Sequence, residues 1–202
     1  TDGRGVESSA PELAASTTEQ IATVPEEGVP GIDSSDPFCR AWSEFAGSFQ
    51  VLAFVSAGES DPLASLRLEV VAAAAVTSAV LELDTEFPDP IASEQDVFVE
   101  EVIGPFARRA ARAVEVLETS GLAPGELEAL GDAWLEALAE TGVDDPEIVV
   151  TLPAELEAAV GDAIAALSAT LPPIASDPSL ITQAQTPATF GYLADQCPDQ
   201  GT

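Results

Sequence analysis

The run LRLEVVAAAAVTSAVLEL, Leu66 to Leu83, is apolar on nearly every helical face. A helix of that kind belongs at the centre of a folded domain, because no side of it is polar enough to face water. The segment predicts a core helix over about Leu63 to Leu83, and four consecutive alanines, Ala72 to Ala75, let neighbouring helices come close. Its uncharged stretch, Val70 to Leu81, is shorter than the ~20 residues that span a bilayer's hydrocarbon, and Arg67, Glu69 and Glu82 flank it. No transmembrane segment is therefore expected. The rest of the composition agrees with a helical partner set: 46% of the chain is hydrophobic but only 5% aromatic. A core made mainly of Ala, Leu and Val favours packed helices over sheets.

Helix starts are marked by a recurring device, an acceptor side chain followed by proline at the first helical position, where the missing N–H is not needed. Asp36-Pro37, Asp61-Pro62, Asp145-Pro146, Asp177-Pro178 and Thr186-Pro187 all have this form. After Asp36, residues Phe38, Trp42, Phe45, Phe49 and Leu52 fall at helical spacing on one face, and the helix is expected to end near Gly58. A third helix is expected to open at Ser93 and Asp96 in the manner of a capping box. Val99, Ile103, Phe106, Ala110, Ala113 and Leu117 keep one face to about Ser120, with Pro105 kinking or dividing the run. A fourth, Pro124 to Thr141, turns Leu127, Leu130, Trp134 and Leu138 inward and its acidic residues outward.

EIVVTL, Glu147 to Leu152, is a lone strand-like run without a partner, so it reads as an extended connection or a single helical turn. A further helical stretch covers about Pro153 to Leu171, with Leu156, Val160, Ile164, Leu167 and Leu171 as its stripe. A short helix from Thr186-Pro187 carries Phe190, Leu193 and Cys197. Together these describe an all-α fold, an up-and-down bundle of four long helices plus a short C-terminal helix tied back to the first by a disulfide. Residues 1–35 are rich in Ser, Thr, Glu, Pro and Gly and read as a disordered or extended spacer, residues 36–198 as the helical domain, and 199–202 as a tail.

The formal net charge is −30, with 36 acidic residues against six arginines and no lysine or histidine. Such a surface repels phosphate backbones and anionic membranes, so nucleic acid is not an expected partner. There is no methionine anywhere, so the chain reads as processed, most simply a mature exported protein whose signal peptide has been removed.

Cys39 and Cys197 are the two cysteines. Cys39 lies in the first turn of a helix beside Arg40, where a thiol becomes acidic, but the chain holds no histidine to act as base. Two cysteines at opposite ends of an exported domain are better read as a disulfide.

No nucleophile elbow, Gly-rich phosphate loop or lysine for a Schiff base is present. With so many carboxylates, chance pairs such as Glu100–Glu101 or Glu155–Glu157 point to solvated faces rather than catalysis. Zinc, haem and di-iron centres lack the ligands they need, and neither DSSDP nor TGVDDPE has the spacing of a calcium loop. No enzyme, metal or other cofactor is expected.

Two candidate sites stand out. Trp42, Phe45, Phe49, Phe106 and Trp134 could line an apolar pocket between helices, as could Phe54 on the first helix, although aromatic stripes at helical spacing ordinarily form core. Arg108, Arg109 and Arg112 hold half the basic residues on one helical turn. They suit either a docking patch for an acidic partner or a neighbouring copy, or internal neutralisation of nearby acids. The expectation is a non-enzymatic, extracytoplasmic helical domain acting as a cell-surface or envelope interaction or structural protein. The alternative is a carrier of a lipid or other apolar small molecule between its helices.

Overall fold

A computed structural model describes residues 29–59, 61–141 and 148–197. Residues 1–28 of the expected spacer, the Asp145-Pro146 cap and the tail 199–202 lie outside the described residues. Within them the chain is all-helical, without strands, and has seven α-helices: α1 Pro37–Gly58, α2 Pro62–Thr85, α3 Gln95–Val97, α4 Gly104–Thr119, α5 Pro124–Glu140, α6 Ala154–Leu167 and α7 Pro187–Gln196.

The caps expected at α1 and α2 form. The Asp36 carboxylate accepts from the Cys39 N–H at 3.0 Å, and Asp61 accepts from the Leu63 N–H at 2.9 Å, each satisfying an otherwise orphaned donor. The cap of α7 is different. Thr186 is buried and its hydroxyl has no hydrogen-bond partner. The donors at that helix start are taken by Glu94, whose two carboxylate oxygens accept from the Ala188 N–H at 3.1 Å and the Thr189 N–H at 2.8 Å. A carboxylate from a distant turn thus replaces the local threonine.

Five helices, α1, α2, α4, α5 and α6, have 14 residues or more, one more than the expected four. The apolar helix α2 is central and touches all four of the others. By length and composition it is apolar enough to cross a membrane; here Val70, Val71, Ala72, Ala73, Val76, Ala79 and Leu83 are buried in the helical core instead. The alanine segment works as expected against α5, where Gly131 sits so close that a Cβ would lie 3.3 Å from the Ala75 backbone nitrogen.

The third expected helix is not one helix. Asp89–Glu94 forms a 3-10 turn, α3 is a single turn, Phe98–Val102 is a π-type turn, and α4 starts afresh at Gly104. Pro105 explains the division, since it has no N–H to continue the ladder and its ring crowds the preceding turn. The expected capping box at Ser93 is absent, as α3 has no side-chain cap. The Arg108 guanidinium donates to the Glu100 carbonyl at 3.3 Å, within the π turn.

Further along, Ile148 and Val150 are buried while Val149 is exposed, so this segment is an extended connection. Helix α6 ends at Leu167 and passes through a turn before Leu171. Packing also begins ahead of Asp36. Val29 is buried against Gly47 of α1, where a Cβ would meet the valine side chain at 2.7 Å, and the turn after it uses Gly31 at φ +79°.

Candidate functional site

The chain's two described ends are joined by a disulfide between Cys39 in the first turn of α1 and Cys197 after α7. Both cysteines are buried, so Cys39 is not a free nucleophile. Its neighbour Arg40 points elsewhere, pairing with Glu82 of α2 and, at 3.9 Å, with Glu44.

The three arginines of the expected patch separate. Arg108 and Arg112 are exposed, but Arg109 is only 5% exposed and lies within the core. Its place is set by helical spacing: it falls three residues after Phe106 and four before Ala113, both buried on the inner face of α4. There its guanidinium grips Glu69 of α2 with two bonds, Nε to Oε1 and Nη2 to Oε2, the second at 2.8 Å. Nη1 donates to Asp177 Oδ2 at 2.7 Å, and Nη2 donates to the Pro172 carbonyl at 2.5 Å. Arg109 therefore belongs to an internal tie between α2, α4 and the loop after α6.

Asp177 has two tasks. One carboxylate oxygen accepts from the Ser179 N–H at 2.9 Å and hydroxyl at 2.7 Å, capping the turn Pro178–Leu180, while the other meets Arg109. The Ser179 hydroxyl bond, supported by the Ser179 N–H and Arg109 and opposed by burial, holds its pKa below the usual range. Glu69 moves the other way. Burial pushes its carboxyl up, more than the Arg109 guanidinium pulls it down, and the charge of Asp177 adds to the rise.

Beside this tie lies a hollow of about 510 Å³. Its buried lining is Ser65, Leu66, Glu69 and Arg109; Leu63 and the 168–173 loop form the outer part. A second, wider groove of about 640 Å³ runs over α4 towards α6. Arg108 and Arg112 line it with Ala111, Glu115, Val116 and Ala166. Of the described arginines, these two have no carboxylate of a described residue within ion-pair distance. Arg112 only approaches the Thr170 hydroxyl, at 3.4 Å.

The aromatic residues pack mainly on one another, and Phe49 also borders a hollow of about 350 Å³ with Ala53, Ile174 and Ile181. Phe38, Trp42, Phe45, Phe49, Phe87, Phe98, Phe106, Phe190 and Tyr192 form one unbroken chain of ring contacts, with centroids 5.1 to 6.1 Å apart. Most of the pairs are edge-to-face, the arrangement the ring quadrupole prefers. Trp42, Phe45, Phe49 and Phe106 are all in this seam, each packed on at least one other ring. Trp134 is apart from it, fully buried, with its indole N–H donating to Ser48 Oγ at 2.8 Å. Phe54 is 59% exposed and outside the stripe.

Among the described residues, no three His, Cys, Asp or Glu side chains gather as a metal set; Asp144 and Asp145 of TGVDDPE lie outside the described residues. For Arg109 the internal-neutralisation reading holds, and what sequence reasoning missed is the identity of its partners, Glu69 and Asp177. The one local signal was a charged residue at an inward helical position, Glu69 on α2 and Arg109 on α4. No family model, curated protein or solved structure matches the chain.

Proposed function

We propose that this chain is a non-enzymatic, extracytoplasmic interaction domain, a cell-surface or envelope component, that engages a protein partner through the Arg108–Arg112 groove. One observation carries the reading: on a chain of net charge −30, the two described arginines that no described carboxylate pairs with stand one helical turn apart in a groove of about 640 Å³. The other described arginines are used internally. Arg40 and Arg67 tie α2 to α1 and α6, and Arg109 ties α2 to α4. An arginine fork left open to solvent fits a carboxylate with two parallel hydrogen bonds.

The chain's overall charge narrows the partner. A uniformly acidic protein would be repelled before contact, so the fitting partner is neutral or basic overall and presents a local carboxylate pair. The disulfide supports an oxidising compartment, since such bonds are rarely kept in the cytosol of mesophiles.

The test uses an alanine-rich helical peptide with two glutamates four residues apart and two lysines on its other face. Binding by titration calorimetry at 0.15 M salt is expected to be at least tenfold tighter than for the same peptide with glutamines. Arg108→Gln together with Arg112→Gln should erase that advantage. Equal affinity for the two peptides, or an advantage that survives the double variant, would sink the docking reading.

A further inference from the structure

The hollow beside the Glu69–Arg109–Asp177 tie has no part in the docking groove, and its chemistry is distinct. Its lining divides by depth. Ser65, Leu66, Glu69 and Arg109 are each less than 8% exposed, whereas Leu63 is 49% exposed and Pro172 and Pro173 are open to solvent. Its walls are thus largely apolar, from leucine and proline, and its deep end is polar. A volume of about 510 Å³ falls within the roughly 300–1,000 Å³ of small-molecule sites, which combine apolar walls with a few placed polar groups.

The deep end has a sign. Glu69 and Arg109 line the hollow, Asp177 meets Arg109 from outside that lining, and the three together are net −1 when all are ionised. The chain around it is at −30, which concentrates cations and repels anions. Arg109 has four of its five N–H groups engaged, by Glu69 twice, by Asp177 and by the Pro172 carbonyl, which leaves little to offer an anion. Each Glu69 oxygen accepts one bond from Arg109 and retains a lone pair. Ser65 belongs to the same lining, and a serine hydroxyl can accept as well as donate.

Stability alone does not account for the charges. Replacing a buried ion pair by apolar residues of similar volume is often neutral or favourable, and here the pair borders a cavity rather than close-packed core. From this placement we infer that the hollow between α2, α4 and the 168–173 loop binds a small monocationic amphiphile. The apolar body lies along Leu63, Leu66 and Leu171, and the ammonium group sits at Glu69 and Ser65. Carboxylates and phosphates are rejected by the same charges that attract the amine.

Three probes of equal chain length separate the terms: octylamine, 1-octanol and octanoate, each titrated at 0.15 M salt to screen the general acidic surface. Octylamine is expected to bind at one site per chain, at least tenfold tighter than octanol, with octanoate weakest. Leu63→Arg changes an exposed wall residue, leaves the fold in place, and puts a cation at the mouth; it should reduce octylamine binding at least tenfold. The docking groove does not include Leu63, so the same variant should keep its preference for the glutamate peptide. Octanol matching octylamine would overturn the cation assignment. Octylamine binding many sites per chain, or binding Leu63→Arg as well as the parent, would mean adsorption to the acidic surface and overturn the site.

Discussion

Two ties hold this molecule's distant segments together, and they are opposite in kind. The disulfide joins residues 158 apart and is followed by apolar contacts, with Phe38 meeting Phe87 and Tyr192 edge-on. The ionic tie joins Glu69, Arg109 and Asp177, whose side chains are no more than 10% exposed. A covalent link acts mainly by restricting the unfolded chain, so its benefit does not depend on how well the folded site is solvated. A buried ion group acts only in the folded state, and only while every member is present, because each charge left alone carries a desolvation penalty of several kcal/mol. One tie is therefore robust and the other is conditional.

Breaking the disulfide is the larger expected effect. For a loop of this length the chain-entropy relation gives about 5 kcal/mol. Cys39→Ser with Cys197→Ser should lose stability of that order in urea unfolding, while far-UV circular dichroism of the folded state stays the same. Because the change falls on the unfolded chain, the dependence on urea should steepen as that chain expands. A loss below about 1 kcal/mol would show that the aromatic seam alone holds α7 on α1.

Next in size is Arg109→Met, which strands two carboxylates. The expected loss is about 3–5 kcal/mol, read as a lower urea midpoint with an unchanged urea dependence. Adding Glu69→Leu should return more than half of it, because the desolvated charge goes with its partner. No recovery in the double variant would mean that the tie's hydrogen bonds to Asp177 and Pro172, rather than the buried charges, do the holding.

The two ties also differ in how far they can be seen in the sequence. A lone pair of cysteines near the ends of the folded domain suggests a bond, since neither has another candidate. Likewise the Asp-Pro caps at Asp36 and Asp61, the apolar α2 and the aromatic spacing of α1 are local patterns, and each appears in the structure. The ionic tie was hidden by abundance. Its members lie 40 and 68 residues from Arg109, and with 36 acidic residues to choose from, no spacing rule selects Glu69 and Asp177. What was visible is that Arg109 falls on the Phe106–Ala113–Leu117 face, which separates it from its exposed neighbours Arg108 and Arg112.

The aromatic seam was only half visible for a related reason. Its α1 half is a periodic stripe, but Phe87, Phe98, Phe106, Phe190 and Tyr192 arrive from separate segments. The stripe that suggests one wall of a pocket packs largely against rings from other segments, and only its Phe49 end is shown bordering a hollow. The cap at α7 shows the same limit, since nothing local to Thr186 announces that Glu94 will take its place.

The smallest effect sharpens the contrast, because pH should act on one tie and leave the other alone. Glu69 has its folded pKa raised from the usual 4.5, by burial first. A raised pKa means that the folded state binds the Glu69 proton more tightly than the unfolded chain does. The associated stabilisation is full below about pH 4.5 and is lost as pH rises through the higher folded value. Asp177, with a lowered pKa, has the opposite sign: its contribution is present above 3.8 and declines as pH falls through the folded value. The parent should therefore gain stability relative to Glu69→Gln as the pH is lowered from 7 towards 4.5, before the Asp177 term takes over. The difference between the two urea midpoints over that range reads the Glu69 term alone, since the disulfide has no proton to exchange. A flat difference would mean that burial and the Arg109 pair cancel at Glu69, and the ionic tie would then be as indifferent to pH as the covalent one.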